Sequence, residues 1–208
     1  MADGWHAGVM GLFDSILGRS KPARPDLDQL FALPSASLSL DASLGFTPTG
    51  SGSVAFRAPE GRAFADVQSE VQALLDAGQG PKVEAVVDSY GYTWLVCRTD
   101  PPDAATLVTD LHAVNSTLQD SGFGPTLLCS LVSFADDTGR RLALVYLFKQ
   151  GTFYPFAPAV GTGTTIDGAA PQRRDNLLEI QVRDLLKGEL RIEPEVARWF
   201  AVWGAPGL

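Results

Sequence analysis

Two long apolar runs, at about 126–135 and 140–149, constrain this chain more than any other feature. Both are rich in Leu, Val, Phe and Tyr. Strands of that composition are central or heavily buried rather than half-wetted edges. Asp136-Asp137-Thr138-Gly139 joins the two runs with hairpin-turn chemistry. A chain built on such a hairpin needs further strands beside it and helices to cover it.

Spacing supplies those elements. Leu38 and Leu40 hint at a short strand. Gly50–Gly52 reads as a turn, after which Val54 and Phe56 alternate as a strand does. Pro59-Glu60 opens a helix with the stripe Phe64, Val67, Val71, Leu74 and Leu75, ended by Gly78 and Gly80-Pro81. Val83–Val87 and Tyr92–Arg98 read as two strands around the turn Asp88-Ser89-Tyr90-Gly91. Asp103 is placed as the N-cap of a second helix, with the core stripe Leu107, Leu111, Val114 and Leu118 and a stop at Gly122. Thr152–Pro158 reads as an aromatic, proline-punctuated exit, and 159–171 as a mobile Gly-rich loop. Asp175 opens a third helix carrying Leu178, Val182 and Leu185, stopped at Gly188. A short helix near 194–200 precedes Trp203 and the end of the chain.

The expected fold class is therefore α+β, in the order β-α-β-β-α-β-β-α. An antiparallel or mixed sheet carries helices largely on one face. Residues 53–134 alone read βαββαβ, so a ferredoxin-like core is one candidate topology.

Charge limits the partners. The chain carries −8 overall, and residues 25–171 carry −9 of it. An acidic body disfavours nucleic acid, because phosphate contacts need clustered Lys and Arg. No stretch approaches the roughly 20 apolar residues of a membrane span, and the first residues lack the apolar core and cleavage site of a secretory signal.

A search for chemistry returns candidates with plainer explanations. There are two histidines. His6 lies in an N-terminal extension, and His112 lies beside a helix stripe, where a half-buried or surface role accounts for it. Cys97 and Cys129 sit in apolar runs outside any CxxC pair and read as buried thiols. A pairing of either with His112 has no local motif behind it. Two histidines and two isolated cysteines make a poor zinc set, so no metal ligand is expected. Asp136-Asp137 is explained by its turn. Gly161-Thr162-Gly163-Thr164-Thr165 lacks the GK[ST] ending of a phosphate-binding loop, and no cofactor is expected. The reading is of no catalytic residue. Phe153, Tyr154, Phe156, Trp199, Phe200 and Trp203 crowd the last third; they close a core or form a partner site. Arg173 and Arg174, with Trp199 and Trp203, are weak partner-binding candidates.

The start of the chain is different in kind. Residues 1–9 read as an extension, after which the sequence starts again at Met10. Leu12, Phe13, Ile16 and Leu17 share one helical face, followed by Arg19, Lys21 and Arg24 in a Pro-rich linker. An amphipathic helix this short needs an apolar surface to lie on. Its own domain, a partner groove or an anionic membrane interface each fit, and the three basic residues suit the last. The layout is an extension at 1–9, an amphipathic segment and linker at 10–26, and a single α+β domain at 27–208. The membrane- or partner-binding candidates are Leu12, Phe13, Ile16, Leu17, Arg19, Lys21 and Arg24.

Several segments together resemble one bacterial family. They are MGLFDSILGR, DSYGYTWLV (88–96), DLHAVN (110–115), FGPTLLCSLVSF (123–134), YLFKQGTFYPFAP (146–158), RRDNLLE (173–179) and WFAVWGAPGL (199–208). From Met10 onward the chain resembles PspAB, a protein associated with PspA. The resemblance implies a non-enzymatic cytoplasmic accessory protein or adaptor. It would act in the phage-shock response to envelope stress, with PspA or related stress proteins as partners and peripheral contact with the inner membrane. The alternative from the residues alone is an enzyme or small-molecule binder with a pocket that a sequence does not display. A cleft around His112 or a cysteine would favour it.

Overall fold

The computed structural model describes residues 25–57, 64–77, 82–159 and 172–208. The amphipathic segment expected at 10–24 lies outside them, as does nearly all of the loop expected at 159–171.

The chain enters through a 3-10 turn, Leu27–Ala32, and continues into α1, Leu33–Leu44. This corrects the strand expected at Leu38 and Leu40. Residues two apart point to opposite sides of a helix, and here Leu40 is fully buried while Leu38 is 72% exposed. The residues that face inward are Leu33, Ala36, Ser37 and Leu40, at the i, i+3, i+4, i+7 spacing of a helical face. Pro34 sits in the first turn, where no backbone donor is needed, and Gly45 (φ 72°) ends the helix in the left-handed region.

Strand β1 (Thr47–Phe56) follows, then α2 (Phe64–Ala77), β2 (Glu84–Val87), β3 (Thr93–Arg98) and α3 (Ala104–Leu118). The Asp103 carboxylate accepts from the amides of Ala105 and Thr106, as an N-cap should, and Leu107, Leu111, Val114 and Leu118 are fully buried. Next come β4 (Leu127–Ala135), β5 (Arg141–Leu147), β6 (Thr152–Phe156) and α4 (Asn176–Leu186). Strand β6 and the leading α1 are the two departures from the expected order.

The sheet runs β2-β3-β1-β4-β5-β6, antiparallel throughout. Its first four strands, with α2 and α3 as crossovers, stand in the order β2-β3-β1-β4, the split βαβ arrangement of a ferredoxin-like core. The 127–135 and 141–147 runs take interior places as anticipated, and β6 extends the sheet beyond them.

Pro155 makes β6 look like an exit in the sequence. The Phe153 amide donates to Arg191 O, and Phe153 O accepts from Glu193 N, so odd-numbered residues of β6 face away from β5. Pro155 shares that outward register. The ladder to β5 therefore loses no donor, which is the one setting where a strand tolerates proline.

Two apolar layers flank the sheet. On one side α1, α3 and α4 pack over Val54, Leu95, Val132 and Leu144. On the other, Ala55, Trp94, Leu131, Val145 and Phe156 meet Trp199, Val202 and Ala205 from the end of the chain. The expected helix near 194–200 is only a 3-10 turn, Val196–Arg198, and an irregular strap follows it across this second face. Helices therefore cover one face, and the strap stands in for them on the other. At its end, a Cβ on Gly207 (φ 92°) would lie 2.6 Å from Ser133 Oγ, so only glycine fits so close to the sheet.

Candidate functional site

The strap does not seal the second face completely. A cleft of about 580 Å³ remains at one end of the sheet. It is bounded by the β2–β3 hairpin, the end of β1, the start of β4, the turn after β5 and strap residues 200–203. The register brings these segments together: Phe56 stands opposite both Thr93 and Leu127, and Cys129 stands opposite Leu147.

The walls are mainly apolar and aromatic, and several of their polar atoms are paired internally. Asp88 Oδ2 accepts from Trp94 Nε1 at 2.8 Å, while Asp88 Oδ1 accepts from the amides of Tyr90 and Tyr92 at 2.9 and 3.0 Å. The Tyr154 hydroxyl donates to Phe200 O at 2.9 Å, and its burial raises the phenol pKa far above the ordinary value. Trp203 packs edge-on against Phe156, ring centres 4.8 Å apart. Arg57 and Lys149 also line the cleft; both are exposed, and neither has an ion-pair partner among the described residues.

Of the C-terminal partner-binding candidates only Trp203 lines the cleft; Trp199, Arg174 and Arg173 do not. Trp199 is buried, stacks on Tyr154 at 6.0 Å and donates from Nε1 to Glu193 O at 3.0 Å. Arg174 reaches under the strap: its Nε donates to Glu179 Oε1 at 2.8 Å and its Nη1 to Trp199 O at 2.6 Å, with the guanidinium 5.1 Å from the Phe156 ring centre. Arg173 is exposed, and Phe200 leaves 61% of its surface to solvent.

Of the remaining candidates Cys129 lines the cleft, whereas His112 and Cys97 do not. His112 lies on the helix side of the sheet, its ring 4.9 Å from that of Phe31 and its Nε2 3.4 Å from Asp28 Oδ1. Cys129 belongs to the opposite layer, and no hydrogen bond joins either thiol to His112 among the described residues. Burial pushes both thiols up to about 12, with the nearby Asp110 adding to the effect at Cys97. A thiol with such a pKa is about one ten-thousandth thiolate near pH 8. Ellman's reagent is therefore expected to leave Cys97 and Cys129 unmodified in the native chain over the minutes in which the urea-unfolded chain reacts completely.

The Asp136-Asp137 pair is divided. Asp137 is exposed, whereas Asp136 accepts from the amides of Thr138 and Arg140 and from Arg140 Nε. Burial alone would raise the Asp136 pKa, but hydrogen bonds from Arg140 and Thr138 outweigh it and hold the carboxyl below its usual range. A depressed carboxylate stabilises the fold above the unfolded value near 4, and the contribution fades as pH falls through the folded value. Asp136→Asn is thus expected to flatten the acid limb of stability measured by urea denaturation below about pH 5.

Arg57, Asp88, Tyr92 and Lys149 escaped the sequence reading, because each lies in a turn or strand end that local chemistry already explained. The one usable signal was DSYGYTW at 88–94, an aromatic density beyond what a turn requires. No helix among the described residues is long and apolar enough to cross a membrane. No curated protein and no solved structure matches the chain. One family model does, over residues 10–207, and it is described as PspA associated protein B. That match runs through the strap, the cleft walls and the whole sheet, so the chain belongs to the PspAB family, whose name indicates association with PspA.

Proposed function

We propose that this chain is a non-enzymatic accessory protein that binds PspA in the bacterial response to membrane stress. The observation that carries the reading is the family match across residues 10–207. In this view 27–208 is a single α+β domain, and 10–24 is an arm for PspA or the inner membrane face. Leu12, Phe13, Ile16 and Leu17 supply the apolar side of that arm, and Arg19, Lys21 and Arg24 the charge. A second contact uses what the C-terminal region leaves exposed, Arg173 and Phe200, beside a partly exposed Trp203. Trp199 and Arg174 serve it indirectly by holding the strap in place.

Pull-down of purified PspA and flotation with anionic liposomes, each with the full chain and with residues 1–24 deleted, test this reading. The full chain is expected to retain PspA, and the deletion to lose most of that capture. Absence of binding by both forms would sink the proposal. Undiminished capture by the truncated chain would remove 10–24 from the interface.

A further inference from the structure

We infer that the cleft on the strap side of the sheet is a binding site for a single-chain carboxylate amphiphile, a fatty acid. Three observations converge on that chemistry.

The first is size and place. At about 580 Å³ the cleft falls within the roughly 300–1,000 Å³ of small-molecule pockets. It is open to solvent rather than sealed in the core.

The second is the state of its polar groups. Trp94 Nε1 is spent on Asp88, and the Tyr154 hydroxyl on Phe200 O. The Tyr90 hydroxyl is likewise spent on Gln172 Oε1, which leaves Tyr92 and Gln150 as the neutral polar side chains open to a ligand, so most of the wall offers little recompense for a polar group's lost hydration. The part of a ligand laid against Ala55, Trp94, Leu147 and Tyr154 is therefore hydrocarbon.

The third is charge. The body of this protein is acidic, yet the charged groups lining the cleft are Arg57, Lys149 and Asp88. They sum to one positive charge. Asp88 is turned to its own hairpin by three hydrogen bonds, whereas the two cations have no ion-pair partner among the described residues. A monoanionic head matches this balance, and a dianionic phosphate would exceed it. Arginine adds a planar fork suited to carboxylate. Hydrocarbon against that wall and a single carboxylate beside the two cations describe a fatty acid.

This inference does not depend on PspA binding. Its test uses the full chain with dodecanoate, dodecanol and dodecyl phosphate below their micellar concentrations, followed by isothermal titration calorimetry and by tryptophan fluorescence, since Trp94 and Trp203 line the site. Dodecanoate is expected to bind saturably, one per chain, and more tightly than either comparison ligand. The double variant Arg57→Gln/Lys149→Gln is expected to weaken dodecanoate about three- to tenfold, the scale of two exposed ion contacts, and to leave dodecanol unchanged. Both replaced residues are exposed, so the fold should persist, and a circular dichroism melt checks that. Ala201→Trp, at an exposed strap position facing the cleft, is expected to block dodecanoate and dodecanol alike. The proposal is overturned if dodecanoate shows no saturable binding, if the double variant binds it as well as the parent, or if dodecyl phosphate binds more tightly. Unimpaired binding in the folded Ala201→Trp protein also places the ligand elsewhere and overturns it.

Discussion

Replacing Trp199 by alanine is expected to destabilise the protein by about 3–5 kcal/mol, the range for losing a large buried aromatic. Trp199 is 6% exposed and stacks on Tyr154. Its indole donates to Glu193 O, and its carbonyl receives Arg174 Nη1. Truncation leaves a void between strap and sheet and the Glu193 carbonyl without its indole donor. The strap has no regular ladder to the sheet, so this side chain carries much of its attachment. Urea denaturation followed by circular dichroism measures the loss, and increased binding of a hydrophobic dye in the absence of urea would report exposure of the second face. Trp199→Phe keeps the stacking but not the indole donor and should cost less than half as much. A loss below about 1 kcal/mol for the alanine variant would mean that the strap contributes little to the fold.

Glu179→Ala is the second large effect, also about 3–5 kcal/mol, because it strands buried polar groups. Glu179 Oε1 accepts from the Ala157 amide at 2.9 Å and from Arg174 Nε at 2.8 Å, and the Glu179 side chain is almost fully buried. The carboxylate thus joins three pieces: α4, the chain leaving β6 and the strap that Arg174 reaches. Without it, the guanidinium stays beside Phe156 with its main counter-charge gone. Glu179→Gln retains an acceptor oxygen and should lose less. In the double variant Glu179→Ala/Arg174→Ala, the total should fall short of the two single losses added together, since both remove one interaction. Strict additivity by urea denaturation would show that the pair does not act as a unit.

Parts of the molecule were legible before folding and parts were not, for definable reasons. Leu107, Leu111, Val114 and Leu118 repeat at helical spacing behind an Asp cap, and all four are buried as that spacing implies. The runs that became β4 and β5 are apolar on successive residues because the helices need one set and the strap the other: Leu144 faces one layer and Val145 the other. Helix α1 misled because Leu38 and Leu40 imitate alternation while its true face includes Ala36 and Ser37, residues whose small size hides the pattern. Strand β6 misled because proline reads as a break until one knows which edge of the strand faces outward. At the candidate site, the sequence marked Tyr154, Phe200 and Trp203 by their aromatic crowding and left Arg57, Asp88 and Lys149 unmarked. Those three lie far apart in the chain and meet only where β1, the β2–β3 hairpin and the β5 turn end together.

Sequence alone determined the α+β class, the capped helix at 104–118 and the family, and named the ferredoxin-like core only as one candidate topology. All of these are written in short-range periodicity, turn residues and recurring segments. The tertiary structure decided what covers the second face. A strap without repeating structure has no periodicity to read, and its hold depends on contacts from Trp199 to Tyr154 and from Arg174 to Glu179, which join distant parts of the fold. It likewise decided that a cleft whose charged lining residues sum to one positive charge exists in an acidic protein, because a local charge balance depends on which side chains meet and not on how many the chain contains.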